Sequence, residues 1–132
     1  MIFADASALI AVIAGEAGAD DLADRLEADP HRSCSSLSVW ETVVGLSRSY
    51  MFSIPSAREH VERFLTVGSF RFVNIGEAEF QIAADEYAHF GKGRHPAALN
   101  MGDCFAYACA KTNKAKLLFK GNDFSKTDID AA

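Results

Sequence analysis

Short apolar runs alternate with longer amphipathic stretches along the whole chain, the pattern of strands feeding helices. Met1 to Ala4 is a short apolar strand, and a helical stretch follows it through Ile13. Gly15 to Gly18 interrupts, and the spacing of Leu22 and Leu26 predicts a helix over 19–28, ended by Pro30. A second strand is expected over 32–35. A helix over 37–48 should follow, with Leu37, Trp40, Val44 and Ser47 on one face and Trp40 in the core. Pro55 suits a first helical turn, and that helix should reach Val67. Residues 70–75 alternate as a strand, and 77–90 is rich in good helix formers. A loop over 91–98 precedes a helix over 103–112, apolar nearly all round and therefore central. Residues 117–119 form a last clear strand, and 121–130 is a turn-rich tail.

Strands alternating with helices predict an α/β fold, a short parallel sheet of four to five strands flanked by helices. With 132 residues and no linker, repeat or low-complexity segment, the chain is expected to be a single domain over 1–132. No apolar run approaches the ~18 residues of a spanning helix. The N-terminus carries an acid at position 5 and no leading Lys or Arg, which does not fit a signal peptide. Cys34, Cys104 and Cys109 form no CxxC pair and are expected as buried hydrophobes in a reducing cytoplasm.

Four acids stand where this pattern puts strand-to-helix junctions: Asp5, Glu41, Asp103 and Asp123. Each has an ordinary local explanation. Asp5 could cap the helix beginning at Ala6, Ser38 and Glu41 fit a capping box, Asn100 and Asp103 fit another, and Asp123 suits a turn. A cap, however, sits at the carboxyl end of a strand, which is where ligands gather in a parallel sheet. Carboxylates recurring at the edge of one core imply an acidic pocket of the kind hard divalent cations occupy. The net charge of −5 argues at first against a nucleic-acid partner, but it decides little. With these four removed from the 18 acids, the remainder nearly balances the 13 bases.

Asp5 in FADASAL, Glu41 in SLSVWETV, Asp103 in LNMGDCFAYACA and Asp123 in LLFKGNDFSKTDI resemble the acidic quartet of PIN-domain ribonucleases. The length and layout resemble the VapC toxins of bacterial toxin–antitoxin pairs. The resemblance implies a metal-dependent endoribonuclease, the toxin of a type II pair, cleaving RNA by metal-activated water. It also implies Mg²⁺ or Mn²⁺ at the carboxyl edge of the sheet, a VapB-like antitoxin, and a cytoplasmic homodimer. The chain stops soon after Asp128, which leaves little room for a full final strand.

An oxygen-only donor set favours Mg²⁺ or Mn²⁺ over zinc. Asp5, Asp103 and Asp123 are expected as direct ligands, and Glu41 as a ligand or a base that orients water. Ser7, Asn100 and Asp128 are candidates to hold the ligands in place. Lys92, Arg94 and Lys120, with His95 nearby, could contact RNA phosphates, as positioning rather than sequence-reading contacts. Lys111, Lys114 and Lys116 are more simply cations at a helix C-terminus. A haloacid-dehalogenase-like phosphatase would need a second Asp two residues after Asp5, where Ser7 stands. A phosphoacceptor receiver would need an Asp at the end of a middle strand, where Asn74 stands. The remaining alternative is a non-catalytic acidic module of the same fold that binds a metal or a partner.

Overall fold

The computed structural model describes residues 1–132. Its elements run β1 (Ile2–Ala4), α1 (Ala6–Ala14), α2 (Ala19–Ala28), β2 (Arg32–Cys34), α3 (Ser36–Tyr50), α4 (Ile54–Val67), β3 (Arg71–Phe72), α5 (Glu77–Phe90), α6 (Met101–Thr112) and β4 (Lys116–Leu118). All pairings in the sheet are parallel, in the order β3-β2-β1-β4, with Ile2 opposite both Arg32 and Lys116. The first strand is therefore central, flanked by the second and the last.

The sheet is covered on both faces, as its short apolar strands require. Phe3 and Leu117 pack among α5 and α6 residues such as Ala83, Cys104 and Ala108. Ala4 and Cys34 meet Leu9, Leu46, Ala57 and Val61 from α1, α3 and α4 on the other side. Ile2 and Leu118 bury the Leu22–Leu26 stripe of α2. Alternate residues of each strand thus feed opposite layers. The three cysteines are buried and unpaired, and burial pushes the Cys34 and Cys109 thiols up to about 12 and that of Cys104 to about 11. They pack as small hydrophobes. No helix is long and apolar enough to cross a membrane.

Three local expectations need correction. The buried face of α3 is Ser38, Thr42 and Leu46, and Trp40 is 61% exposed. The Ser38 hydroxyl donates to Ser35 O and the Thr42 hydroxyl to Ser38 O, so both enter the core with their polar atoms satisfied. A count of apolar residues cannot see that, and it rotates the helix. The capping box of α3 is Ser35 with Ser38, which frees Glu41 from any capping role. The third strand is two residues long instead of six, with both side chains exposed at the sheet edge. Beyond β4 the expectation of a turn-rich tail without a full final strand holds: the chain returns only as an isolated parallel bridge between Leu117 and Ala131.

Candidate active site

At the carboxyl edge of the sheet β1 ends in Asp5, whose backbone N–H donates to Leu118 O at the end of β4. Asp5 is the N-cap of α1. Its Oδ2 accepts from the Ser7 amide at 3.0 Å and from the Ser7 hydroxyl at 2.6 Å. The same hydroxyl accepts from the Lys120 amide at 3.0 Å. Ser7 therefore ties the end of the first strand to the segment leaving the last one. Asp103 caps α6 reciprocally with Asn100: its amide donates to Asn100 Oδ1 at 2.9 Å, and its Oδ2 accepts from the Asn100 amide at 3.0 Å. Both local capping explanations hold for these two residues, and both leave the carboxylates at the same edge.

Glu41 reaches that edge from the second turn of α3. Its carboxylate lies against Gly102 of α6, where a Cβ would fall 2.5 Å from Oε1 and closer still to Oε2. The glycine makes the room that the carboxylate fills. Asp123, exposed, opens a single 3₁₀ turn (Phe124–Lys126) beyond β4.

The electrostatics tie the four together. Burial is the main cause that raises the pKa of Asp5, opposed by the two Ser7 bonds and reinforced by the charge of Asp123. Burial, then the charges of Asp5 and Asp103, push Glu41 up to about 7. Burial, with Asp5 and Asp123 adding to it, pushes Asp103 up to about 6 against the Asn100 bond. Asp5 and Asp103 are thus common neighbours of Glu41 and Asp123. None of the protein's five ion pairs supplies a cation to any of them. The donor set is all oxygen and suits a hard divalent cation. The cradle at Gly102 supports the same fit, because it holds open space for a carboxylate. As the side chains stand, no three His, Cys, Asp or Glu groups come close enough together to hold a metal ion.

The remaining candidates divide. Ser7 and Asn100 hold Asp5 and Asp103 directly. Asp128 bonds none of the four; it accepts from the Tyr107 hydroxyl at 2.5 Å. The Lys120 ammonium is committed to Glu16 at 2.7 Å, and Tyr50 donates to that carboxylate's other oxygen. Lys120 therefore braces the chain after β4 against α1, through its amide on Ser7, and against the turn that follows α1, through its ammonium on Glu16. Lys92 and Arg94 are exposed and unpaired in the 91–98 loop, with the Arg94 guanidinium 5.8 Å over the Tyr87 ring. The Lys126 ammonium reaches Pro96 O at 3.5 Å, which brings that loop against the segment after Asp123. Gly102, Tyr107 and Lys126 were missed in the sequence. Only Gly102 left a signal there, a glycine in the first turn of a helix that nothing else required.

A PIN-domain family model matches residues 2–130. A VapC ribonuclease of Rhizobium meliloti is 40% identical over 141 residues, covering 98% of this chain and 99% of that protein. A ribonuclease VapC of Mycolicibacterium smegmatis is 39% identical over 127 residues, covering 96% of each. Among solved structures, Mycobacterium tuberculosis VapC20, described as a sarcin-ricin loop cleaving toxin, superimposes with a TM-score of 0.74. That match has 16% identity and covers 100% of this chain and 98% of the other. A toxin–antitoxin complex from Klebsiella pneumoniae gives a TM-score of 0.71 at 18% identity, covering 97% and 93%.

Proposed function

The chain belongs to the PIN-domain family, among its VapC ribonucleases, and from that premise we propose that it is a Mg²⁺- or Mn²⁺-dependent endoribonuclease, the toxin of a type II pair. One observation carries the metal requirement: four carboxylates share an edge, three of them held above their ordinary pKa, with no protein cation beside them. A bound divalent ion supplies the charge that stabilises a phosphoryl centre and a water of lowered pKa. Asp5, Asp103 and Asp123 would hold it. Glu41, which burial and the charges of Asp5 and Asp103 push up to about 7, would act as a further ligand or as a base that orients water and takes its proton on a carboxylate oxygen. Lys92 and Arg94 would position RNA phosphates through the flanking loop.

In the resting cell, a VapB-like antitoxin would block the site with an arginine, since a bidentate guanidinium is a good substitute for a metal among carboxylates. Trp40, Ile54 and Phe72, all exposed near the start of α3, offer apolar surface to such a partner. Self-association into a homodimer and residence in the cytoplasm belong to the same proposal.

The test is cleavage of RNA by nuclease-free purified protein with Mg²⁺ and with excess chelator. Loss of cleavage in chelator and in Asp5→Asn supports the enzyme. Cleavage that persists in chelator sinks the metal requirement. Metal binding without cleavage would favour the non-catalytic module. If inhibition by the antitoxin survives loss of every Arg and Lys in its inserted segment, charge plugging is wrong.

A further inference from the structure

Asp123 differs from the other three acids in what holds it. Asp5 and Asp103 are helix caps and Glu41 fills a cradle, whereas Asp123 is exposed and its carboxylate accepts no hydrogen bond. It rides on the segment between Phe119 and Ile129, which contains Gly121 at φ +105° and pairs with no strand until Asp130 O accepts from the Leu117 amide. Something must fix that excursion for Asp123 to stand beside Asp5 and Asp103.

Its departure is fixed by the Lys120–Ser7 bond and its middle by Phe124, 3% exposed and packed 5.2 Å from the Phe119 ring. Its return is fixed by Tyr107. That residue lies one turn along α6 from Asp103, is 2% exposed, and donates its hydroxyl to Asp128 Oδ1 at 2.5 Å. A phenylalanine would fill the same volume, so the hydroxyl must be explained by what it bonds. Glu86 of α5 stands beside the same phenol, and its Oε2 is buried with no hydrogen-bond partner. Burial and the two neighbouring carboxylates raise the pKa of the phenol and keep it a donor.

We propose that Tyr107 is a positioning residue for Asp123, anchoring through Asp128 the segment that carries it. One helix then places two of the four acids, Asp103 by its own cap and Asp123 through the Tyr107 hydroxyl one turn further on. The inference rests on the reading of the four acids as a metal site, but the anchor can be measured without any metal.

The experiment compares Asp128→Ala, Asp128→Asn and Tyr107→Phe with the parent, by Mn²⁺ titration and by hydrogen exchange of the Thr127 and Ile129 amides, which are hydrogen-bonded on either side of Asp128. Asp128 is exposed, so Asp128→Ala leaves the core intact even if Tyr107→Phe folds poorly. Losing a hydrogen bond to a charged group should weaken Mn²⁺ binding about tenfold and speed exchange at those amides by a similar factor. Asp128→Asn, which keeps an acceptor, should stay within about threefold of the parent. In an Asp123→Asn background, Asp128→Ala should weaken Mn²⁺ no further, because the positioned ligand is already gone. Faster exchange with parental Mn²⁺ affinity overturns the positioning role, and unchanged exchange overturns the anchor itself. If the parent binds no Mn²⁺, the metal reading fails on its own, and the exchange data still uphold or overturn the anchor.

Discussion

Two glutamates near helix starts, Glu41 and Glu79, sit in environments that teach opposite lessons. Glu79 is 8% exposed in the first turn of α5, yet its pKa is lowered, chiefly because its Oε1 accepts from the Gly76 amide at 2.8 Å. Glu41 enters its cleft one turn too late to meet free amides, finds two other carboxylates instead, and is pushed up to about 7. Each carboxylate faces a glycine. A Cβ at Gly76 would make ordinary contact, 3.6 Å from Glu79 Oε1, while one at Gly102 would overlap Glu41. Burial alone therefore says little about a carboxylate. Backbone donors at a helix start lower the pKa of a carboxylate, and crowding by its own kind raises it.

The largest effect expected from this contrast is on cleavage. Asp103→Asn should lower the rate by about 10³-fold or more, because the amide keeps the cap geometry and loses the charge that holds the ion. Glu79→Gln should stay within about threefold of the parent, since Glu79 touches nothing at the acidic edge. Equal losses in the two variants would erase the distinction. Next in size is Gly102→Ala, which should lower the rate roughly tenfold or more by displacing Glu41 while gaining up to about 1 kcal/mol of helix propensity. Gly76→Ala should be nearly silent in rate. A fully active Gly102→Ala protein would show that Glu41 has no need of its cradle.

Smaller effects appear in stability. In chelator, Asp103→Asn should melt above the parent by roughly 1–2 kcal/mol, because two carboxylates ~5 Å apart repel even at an effective dielectric near 20. Glu79→Gln should melt below it by up to about 1 kcal/mol, having lost a charge its helix start favours. Millimolar Mg²⁺ should reverse the first ranking, since only the parent binds it well. If Asp103→Asn melts lower in chelator, its bond to Asn100 outweighs the crowding. The smallest effect is with pH. Glu41 at about 7 and Asp103 at about 6 lie above their ordinary values of 4.5 and 3.8, so their penalty is present at high pH. It is relieved as pH falls through those values. Glu79 has the opposite sign: its contribution is present above 4.5 and lost as pH falls through its lowered pKa. The metal-free protein should therefore gain on the order of 1 kcal/mol between pH 7.5 and about 5 and lose stability again below. A melting profile that falls steadily with acid would remove the crowding from the account.

Most of the scaffold was legible in sequence because each element carries its own signals. Pro55 opens α4, Gly15 closes α1 in a left-handed turn, and Leu22 and Leu26 mark the inner stripe of α2. Asp5 and Asp103 were legible for a related reason: strand ends and helix starts can be located, and a parallel sheet gathers them at one edge, whereas Glu41 fits in sequence a capping box that belongs to Ser35 and Ser38. What stayed hidden depends on polar partners that apolar periodicity does not register. The inward turn of Ser38 and Thr42 needs the carbonyls of Ser35 and Ser38 to receive their hydroxyls, and without that knowledge Trp40 takes their place. Lys120 looks like a free cation until Glu16 and Tyr50 are folded against it. Tyr107 looks like core until Asp128 returns to meet its hydroxyl.

The strand order has a consequence in time. Because β1 lies between β2 and β4, the first strand made and the last one made are neighbours. A chain growing from its N-terminus presents Asp5 and Glu41 early, but Asp123 arrives only after β4. Chains released before Lys116 can pair β1 with β2 and β2 with β3, yet they lack one of the four acids and the strand that leads to it. The acidic edge is whole only once the chain beyond β4 has been made, so products truncated before Asp123 should be inert.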